Sequence, residues 1–157
     1  MTLNFTRPRT DQLDTMEPTA LTESPRLLIA DDDVLVTRAF ARVLRGGGFE
    51  VEVVHDGAAA LERLHFDPPI AAVILDIRMP GIDGRDVLAS LQRFPTAAPI
   101  PVLVVSGSSD EYALRLAGKL GARDVMQKPV YGDQLVNRVR WLLESWPEER
   151  PASYLLH

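Results

Sequence analysis

The sequence predicts an α/β fold in which five βα units build a doubly wound parallel sheet. Three observations carry that prediction. Short runs of apolar, mostly branched side chains recur five times. A helical stripe of apolar residues follows each run. Glycines stand at two of the joins and a proline behind the last stripe. Strand-like runs alternating with amphipathic helices are the pattern of parallel sheets covered by helices on both faces.

The elements follow in order. Leu27–Ala30 is the first apolar run, and Val36, Ala39, Phe40, Val43 and Leu44 behind it keep a helical spacing. Asp33 stands where a carboxylate would cap that helix. Gly46-Gly47-Gly48 follows the stripe, where a left-handed residue is wanted. It comes after a helix and before a strand, the reverse of a phosphate loop. Val51–Val54 is the second run, with Ala60, Leu61 and Leu64 as its helix. Ala71–Leu75 precedes the stripe Val87, Leu88 and Leu91, and Ile100–Val105 precedes Ala113, Leu116, Ala117 and Leu120. Gly121 closes that fourth helix. Val125–Met126 is the shortest run and rests mainly on its position, and Leu135, Val139, Leu142, Leu143 and Trp146 complete the series up to Pro147. The first four runs have the composition of strands covered on both faces.

The 157 residues fit one domain of ordinary size. Residues 1–25 carry Pro8, Pro18 and Pro25 without periodicity and read as a disordered tail, within which Met16 offers a second start. The globular part then spans 26–145, with 146–157 a short C-terminal tail too small to bury a core as an output domain. There is no cysteine, which rules out disulfides and thiolate metal sites and fits a reducing cytoplasm. No apolar run approaches a membrane span, and the N-terminus lacks the apolar core of a signal peptide. A net charge of −5 argues against a nucleic-acid-binding surface. His55, His65 and His157 have no metal-ligand spacing and receive no role, and Trp141 lies off the main stripe of its helix.

In open sheets of this class ligands bind beyond the C-terminal ends of the strands. Asp31-Asp32-Asp33 follows the first strand, Asp76 the third, Ser106 the fourth and Lys128-Pro129 the fifth. Carboxylates brought this close repel one another, and a hard divalent cation removes the conflict. Magnesium with Asp32 and Asp76 as carboxylate ligands fits that demand. A carboxylate can also be a nucleophile that forms an aspartyl phosphate, with magnesium and Lys128 neutralising the transferring group and Ser106 donating to it. Each signal alone is weak. Their order at successive strand ends is specific.

The stretches LLIADDD, VILDIRMPGIDG, VLVVSGSSD and GARDVMQKP resemble the receiver domain of two-component response regulators, over about Arg26 to Ser145. The resemblance implies a flavodoxin-like fold with strand order 2-1-3-4-5. It implies that Asp76 accepts a phosphoryl group from a histidine kinase or phosphotransfer protein. It implies Mg2+ held by Asp32, Asp76 and the backbone carbonyl of Arg78, with Asp31 nearby, and Ser106 and Lys128 as the hydroxyl and lysine of the site. It further implies a cis Lys128-Pro129 peptide, output to an unnamed partner through helix 4, strand 5 and helix 5, and a phosphorylation-dependent homodimer as one form of that output. Val125 departs from the family, which usually has Tyr or Phe three residues before the lysine.

The resulting reading is a phosphorylation-controlled switch and not an enzyme. Two alternatives stand beside it. A magnesium-dependent phosphatase of the haloacid dehalogenase type also uses a strand-end aspartate, but Asp31-Asp32-Asp33-Val34-Leu35 fits only the aspartates of its motif. A pseudo-receiver that binds partners without phosphate would not need the complete acidic set.

Overall fold

The computed structural model describes residues 23–66, 69–94, 99–107 and 111–146. The elements alternate strictly: β1 (Arg26–Ala30), α1 (Val34–Gly46), β2 (Glu50–Val54), α2 (Gly57–Leu64), β3 (Ala72–Leu75), α3 (Gly84–Arg93), β4 (Val102–Ser106), α4 (Glu111–Lys119), β5 (Asp124–Gln127) and α5 (Gly132–Ser145). All pairings are parallel, in the order β2-β1-β3-β4-β5. This is the flavodoxin-like arrangement expected from the sequence. β3 lies in the middle, with Ile74 opposite Ile29 on one side and Leu103 on the other.

The strands split their side chains between two cores, as the period of two along a strand requires. Leu27, Ile29, Ile74, Leu103 and Val105 point to the side of α1 and α5, where they pack with Phe40, Leu44, Leu135, Val139 and Leu142. Leu28, Val73, Leu75, Val102 and Val104 point to the side of α2, α3 and α4, against Ala60, Leu64, Val87, Leu88, Ala113 and Ala117. A fully buried side chain such as Leu103 contributes about 1.5–3 kcal/mol relative to exposure.

β2 corrects one expectation. It is an outer strand and none of its residues is fully buried. Its alternating sequence Glu-Val-Glu-Val fits one covered side, and the glutamates are paired. Arg26 donates to Glu50 at 2.6 Å and lies 3.6 Å from Glu52, which also takes a two-pronged contact from Arg63. Charge along an outer strand hinders edge-to-edge pairing with other chains.

The caps are local. Asp33 accepts from the backbone N–H groups of Leu35 and Val36 at the start of α1. Asp83 and Asp86 form a reciprocal capping box on α3. In the triple glycine only Gly48 is left-handed, with φ +93°. Gly46 ends the helix, and Gly47 has φ −81°. Gly121 has the expected positive φ of +98°. The boundaries read from sequence also shift slightly. Pro25 accepts from the Glu50 N–H, and Trp146 is buried with its indole N–H donating to the Pro99 carbonyl at 3.1 Å. Residues 1–22 and 147–157 lie outside the described residues. Among the described residues no helix is long and apolar enough to cross a membrane.

Candidate functional site

Asp76 follows β3 directly and is 7% exposed. Its backbone N–H donates to Ala30 at the end of β1 at 2.9 Å, so the sheet itself holds it in place. Beyond it the chain continues with Ile77 and Met79 tucked into the core and Arg78 outward. The turn then returns through Gly81, at φ +74°, to Gly84. Gly84 must be glycine: a Cβ there would come within 2.4 Å of the Asp76 carbonyl oxygen. The Met-Pro-Gly interruption behind the apolar run is therefore the turn that brings α3 against the back of Asp76.

Asp31 ends β1 and is 3% exposed. One of its carboxylate oxygens accepts from the Asp33 N–H at 2.9 Å, and the other from Lys128 Nζ at 2.8 Å. Lys128 follows β5, its N–H donates to the Ser106 carbonyl at 2.7 Å, and the Lys128-Pro129 peptide behind it is cis. Its ammonium lies 3.7 Å from Asp76, so Asp31 is its nearer partner. Asp31, Asp32 and Asp76 each offer an oxygen within 4.8 Å of the others. Ser106, the last residue of β4, is 1% exposed, and its Oγ has no hydrogen-bond partner among the described residues.

The electrostatics are unbalanced. Burial raises the Asp76 carboxyl to about 6, and the neighbouring Asp31 charge adds to the rise. Lys128 and the Arg78 backbone N–H oppose it only in part. Burial pulls the Lys128 ammonium down, but its hydrogen bond to Asp31 and the charges of Asp76 and Asp31 outweigh this and raise it, so it stays charged. Among the described residues, the three clustered carboxylates thus have the Lys128 ammonium beside Asp31 and Asp76, and a hydroxyl without a partner next to them. A divalent cation fits such a donor set, because it would relieve the repulsion that burial intensifies.

The structure therefore brings together Asp31, Asp32, Asp76, Ser106 and Lys128, while the Arg78 side chain points away from the core. Two features were missed in the sequence. Lys128 binds Asp31 more closely than Asp76. His55, immediately after β2, places Nδ1 3.0 Å from the Asp31 carbonyl oxygen. The strand-end rule, if extended to the second strand, would have pointed to His55. Val125 pairs with Val104 and packs against the α2–α4 side of the core. On the β5–α5 face, away from the carboxylates, a groove of about 550 Å³ is lined by Met126, Gln134, Asn137, Arg138 and Trp141. The Arg123 guanidinium stacks 4.9 Å above the Trp141 ring.

Comparison with known proteins identifies the family of the chain. Residues 27–140 match the model of the response regulator receiver domain. The response regulator MprA of Mycobacterium tuberculosis H37Rv is 37% identical over 130 residues, covering 82% of this chain and 55% of that protein. MprA of Mycobacterium ulcerans is 39% identical over 121 residues, covering 76% of this chain and 50% of that protein. The chain thus spans about half the length of the curated relatives it matches. A response regulator of Chloroflexus aurantiacus J-10-fl superposes with a TM-score of 0.72 at 34% identity, covering 77% of this chain and 98% of that one. The receiver domain of NtrX from Brucella abortus superposes with a TM-score of 0.70 at 28% identity, over 76% of this chain and 99% of the other. With five parallel strands in the matching order and the acidic residues at their ends, the chain belongs to the response regulator receiver domain family, the receiver module of two-component systems.

Proposed function

We infer that this domain is a signalling switch set by phosphorylation of Asp76. The observation that carries the reading is the Asp31–Asp32–Asp76 cluster, with Asp31 and Asp76 buried, beside the Lys128 ammonium and a Ser106 hydroxyl that has no partner among the described residues. An Asp76 oxygen attacks the phosphorus of a phosphohistidine on a histidine kinase or phosphotransfer protein. A P–O bond forms as the donor's P–N bond breaks, and the imidazole leaves. Asp31, Asp32, Asp76 and the Arg78 carbonyl are the groups that would hold Mg2+, which neutralises charge on the phosphoryl oxygens when bound. Lys128 supplies a second positive charge on the same side. The Ser106 Oγ, without a partner among the described residues, gains a phosphoryl oxygen as acceptor on transfer. Val34 and Leu35, exposed beside Asp32 at the start of α1, give a donor protein an apolar landing next to the pocket.

Output runs through α4, β5 and α5. Exposed Tyr112 on α4, Trp141 and the adjoining groove support that face as the contact surface, whether for another protein or for a second copy of the domain. Val125 replaces the aromatic usual in the family, so Ser106 and the following loop carry the change. Residues 108–110 of that loop lie outside the described residues. A cytoplasmic signalling protein without enzymatic turnover is the whole of this reading.

The test is exposure to acetyl phosphate with Mg2+. The expected product is stoichiometric, acid-stable and base-labile phosphate on Asp76, absent from Asp76→Asn. Sustained release of phosphate from unrelated phosphomonoesters would instead indicate a phosphatase, and full labelling of Asp76→Asn would remove Asp76 from the centre of the scheme.

A further inference from the structure

The end of β2 holds Asp31 by its backbone. The Asp31 N–H donates to the Val54 carbonyl at 3.2 Å, and the Asp31 carbonyl oxygen lies 3.0 Å from His55 Nδ1. A carbonyl oxygen only accepts, so the contact requires the proton on Nδ1. The Asp31 carboxylate is engaged as well, by the Asp33 N–H and Lys128. Every polar group of Asp31 is therefore spoken for, and His55 supplies the one that no strand or helix bond provides.

That carbonyl belongs to the peptide plane joining Asp31 to Asp32. Rotation of the plane would swing the Asp32 backbone and with it the Asp32 carboxylate, which belongs to the cluster within 4.8 Å. Asp32 itself is exposed, and among the described residues it is held by its place in the chain between Asp31 and the capped start of α1. Magnesium tolerates little departure from octahedral geometry, and hydrogen bonds behind the ligands change metal affinity by about 10–100-fold.

We propose that His55 is a positioning residue which, by donating from Nδ1 to the Asp31 carbonyl, fixes the Asp31–Asp32 peptide and so the aim of the Asp32 carboxylate. The proposal rests on the magnesium reading of the pocket given above. His55 touches neither the cation nor the phosphoryl group. Its contribution is geometric and depends on the hydrogen-bond donor, not on imidazole as such.

The test compares the full chain with H55A and H55N. The asparagine amide can donate from nearly the place of Nδ1, whereas alanine has no donor. Magnesium affinity is measured by calorimetry, with metal-free melting temperature recorded alongside. Nitrogen NMR of the imidazole reports which nitrogen carries the proton. The expected result is magnesium binding weakened by about tenfold in H55A and largely restored in H55N, with the wild-type proton on Nδ1. Equal affinity in H55A and wild type would overturn the proposal, as would H55N as weak as H55A, or a proton found on Nε2 with Nδ1 bare. A wild type that binds no magnesium would instead overturn the metal reading itself, and the position of the imidazole proton would still decide whether the hydrogen bond exists.

Discussion

Along the outer strand β2, Glu50 and Glu52 meet Arg26 and Arg63 nearly one for one, and the Glu52 carboxyl is held below its ordinary range, chiefly by its hydrogen bonds from Arg63. At the C-terminal ends of β1, β3 and β5, Asp31, Asp32 and Asp76 cluster, with Lys128 the ammonium beside Asp31 and Asp76 among the described residues, and Asp76 is raised to about 6, chiefly by burial. Both regions are acidic, and Glu52 in one and Asp76 in the other shift in opposite directions. The edge is charge-balanced and open to water, so it costs little and serves to protect the strand. In the pocket Asp31 and Asp76 are buried beside the exposed Asp32, with fewer cations than carboxylates among the described residues, an arrangement that folding alone would not favour. The deficit marks where something positive, or a transferred group balanced by it, is meant to arrive.

The largest expected effect comes from magnesium. A ligand bound only by the folded state stabilises it by about 2.7 kcal/mol at one hundred times its dissociation constant. Calorimetric melting at millimolar Mg2+ should show a rise of several degrees, and no rise would remove the contrast between pocket and edge.

Next comes Asp76→Asn in the metal-free protein. Because the folded-state pKa of Asp76 is raised, its favourable contribution is complete below the unfolded value of about 3.9 and is lost as pH climbs through about 6. At neutral pH the charged, crowded carboxylate therefore destabilises the fold, and replacing it with the neutral amide should gain about 2 kcal/mol. Denaturant unfolding from pH 4 to 7 should show wild-type stability falling relative to Asp76→Asn. A variant less stable than wild type at pH 7 would mean that Lys128 already balances the site.

Gly84→Ala sharpens the comparison sterically. Its Cβ cannot coexist with the Asp76 carbonyl, so a loss of about 1–3 kcal/mol is expected, as for overpacked sites. Phosphorylation by acetyl phosphate should slow with it. Unchanged stability and labelling would show that the turn yields readily.

The smallest effect is expected at the edge. Glu52→Gln should cost under about 1 kcal/mol, as exposed ion pairs do, and should leave the magnesium-dependent melting shift unchanged. A change in that shift would mean that the two charged regions are coupled through β2.

Sequence by itself determined what is local along the chain. Alternation of apolar runs and helical stripes fixed five βα units, because burial on a strand or helix repeats with the period of the element. Asp33 was legible as a cap because its partners are two and three residues away. Asp76, Ser106 and Lys128 were legible because position at a strand end follows from where a run stops. The tertiary structure decided everything that depends on which strand lies beside which. Lys128 chooses Asp31 across 97 positions of sequence. β2 became an outer strand with half-covered side chains, where composition alone suggested cover on both sides. Trp146 turned inward to the Pro99 carbonyl. His55 reached the backbone of Asp31 because β1 and β2 are neighbours in register, with Ala30 opposite Val54. Periodicity carries no information about such cross-strand meetings, since they are set by sheet order and register, which emerge only when all five units pack at once.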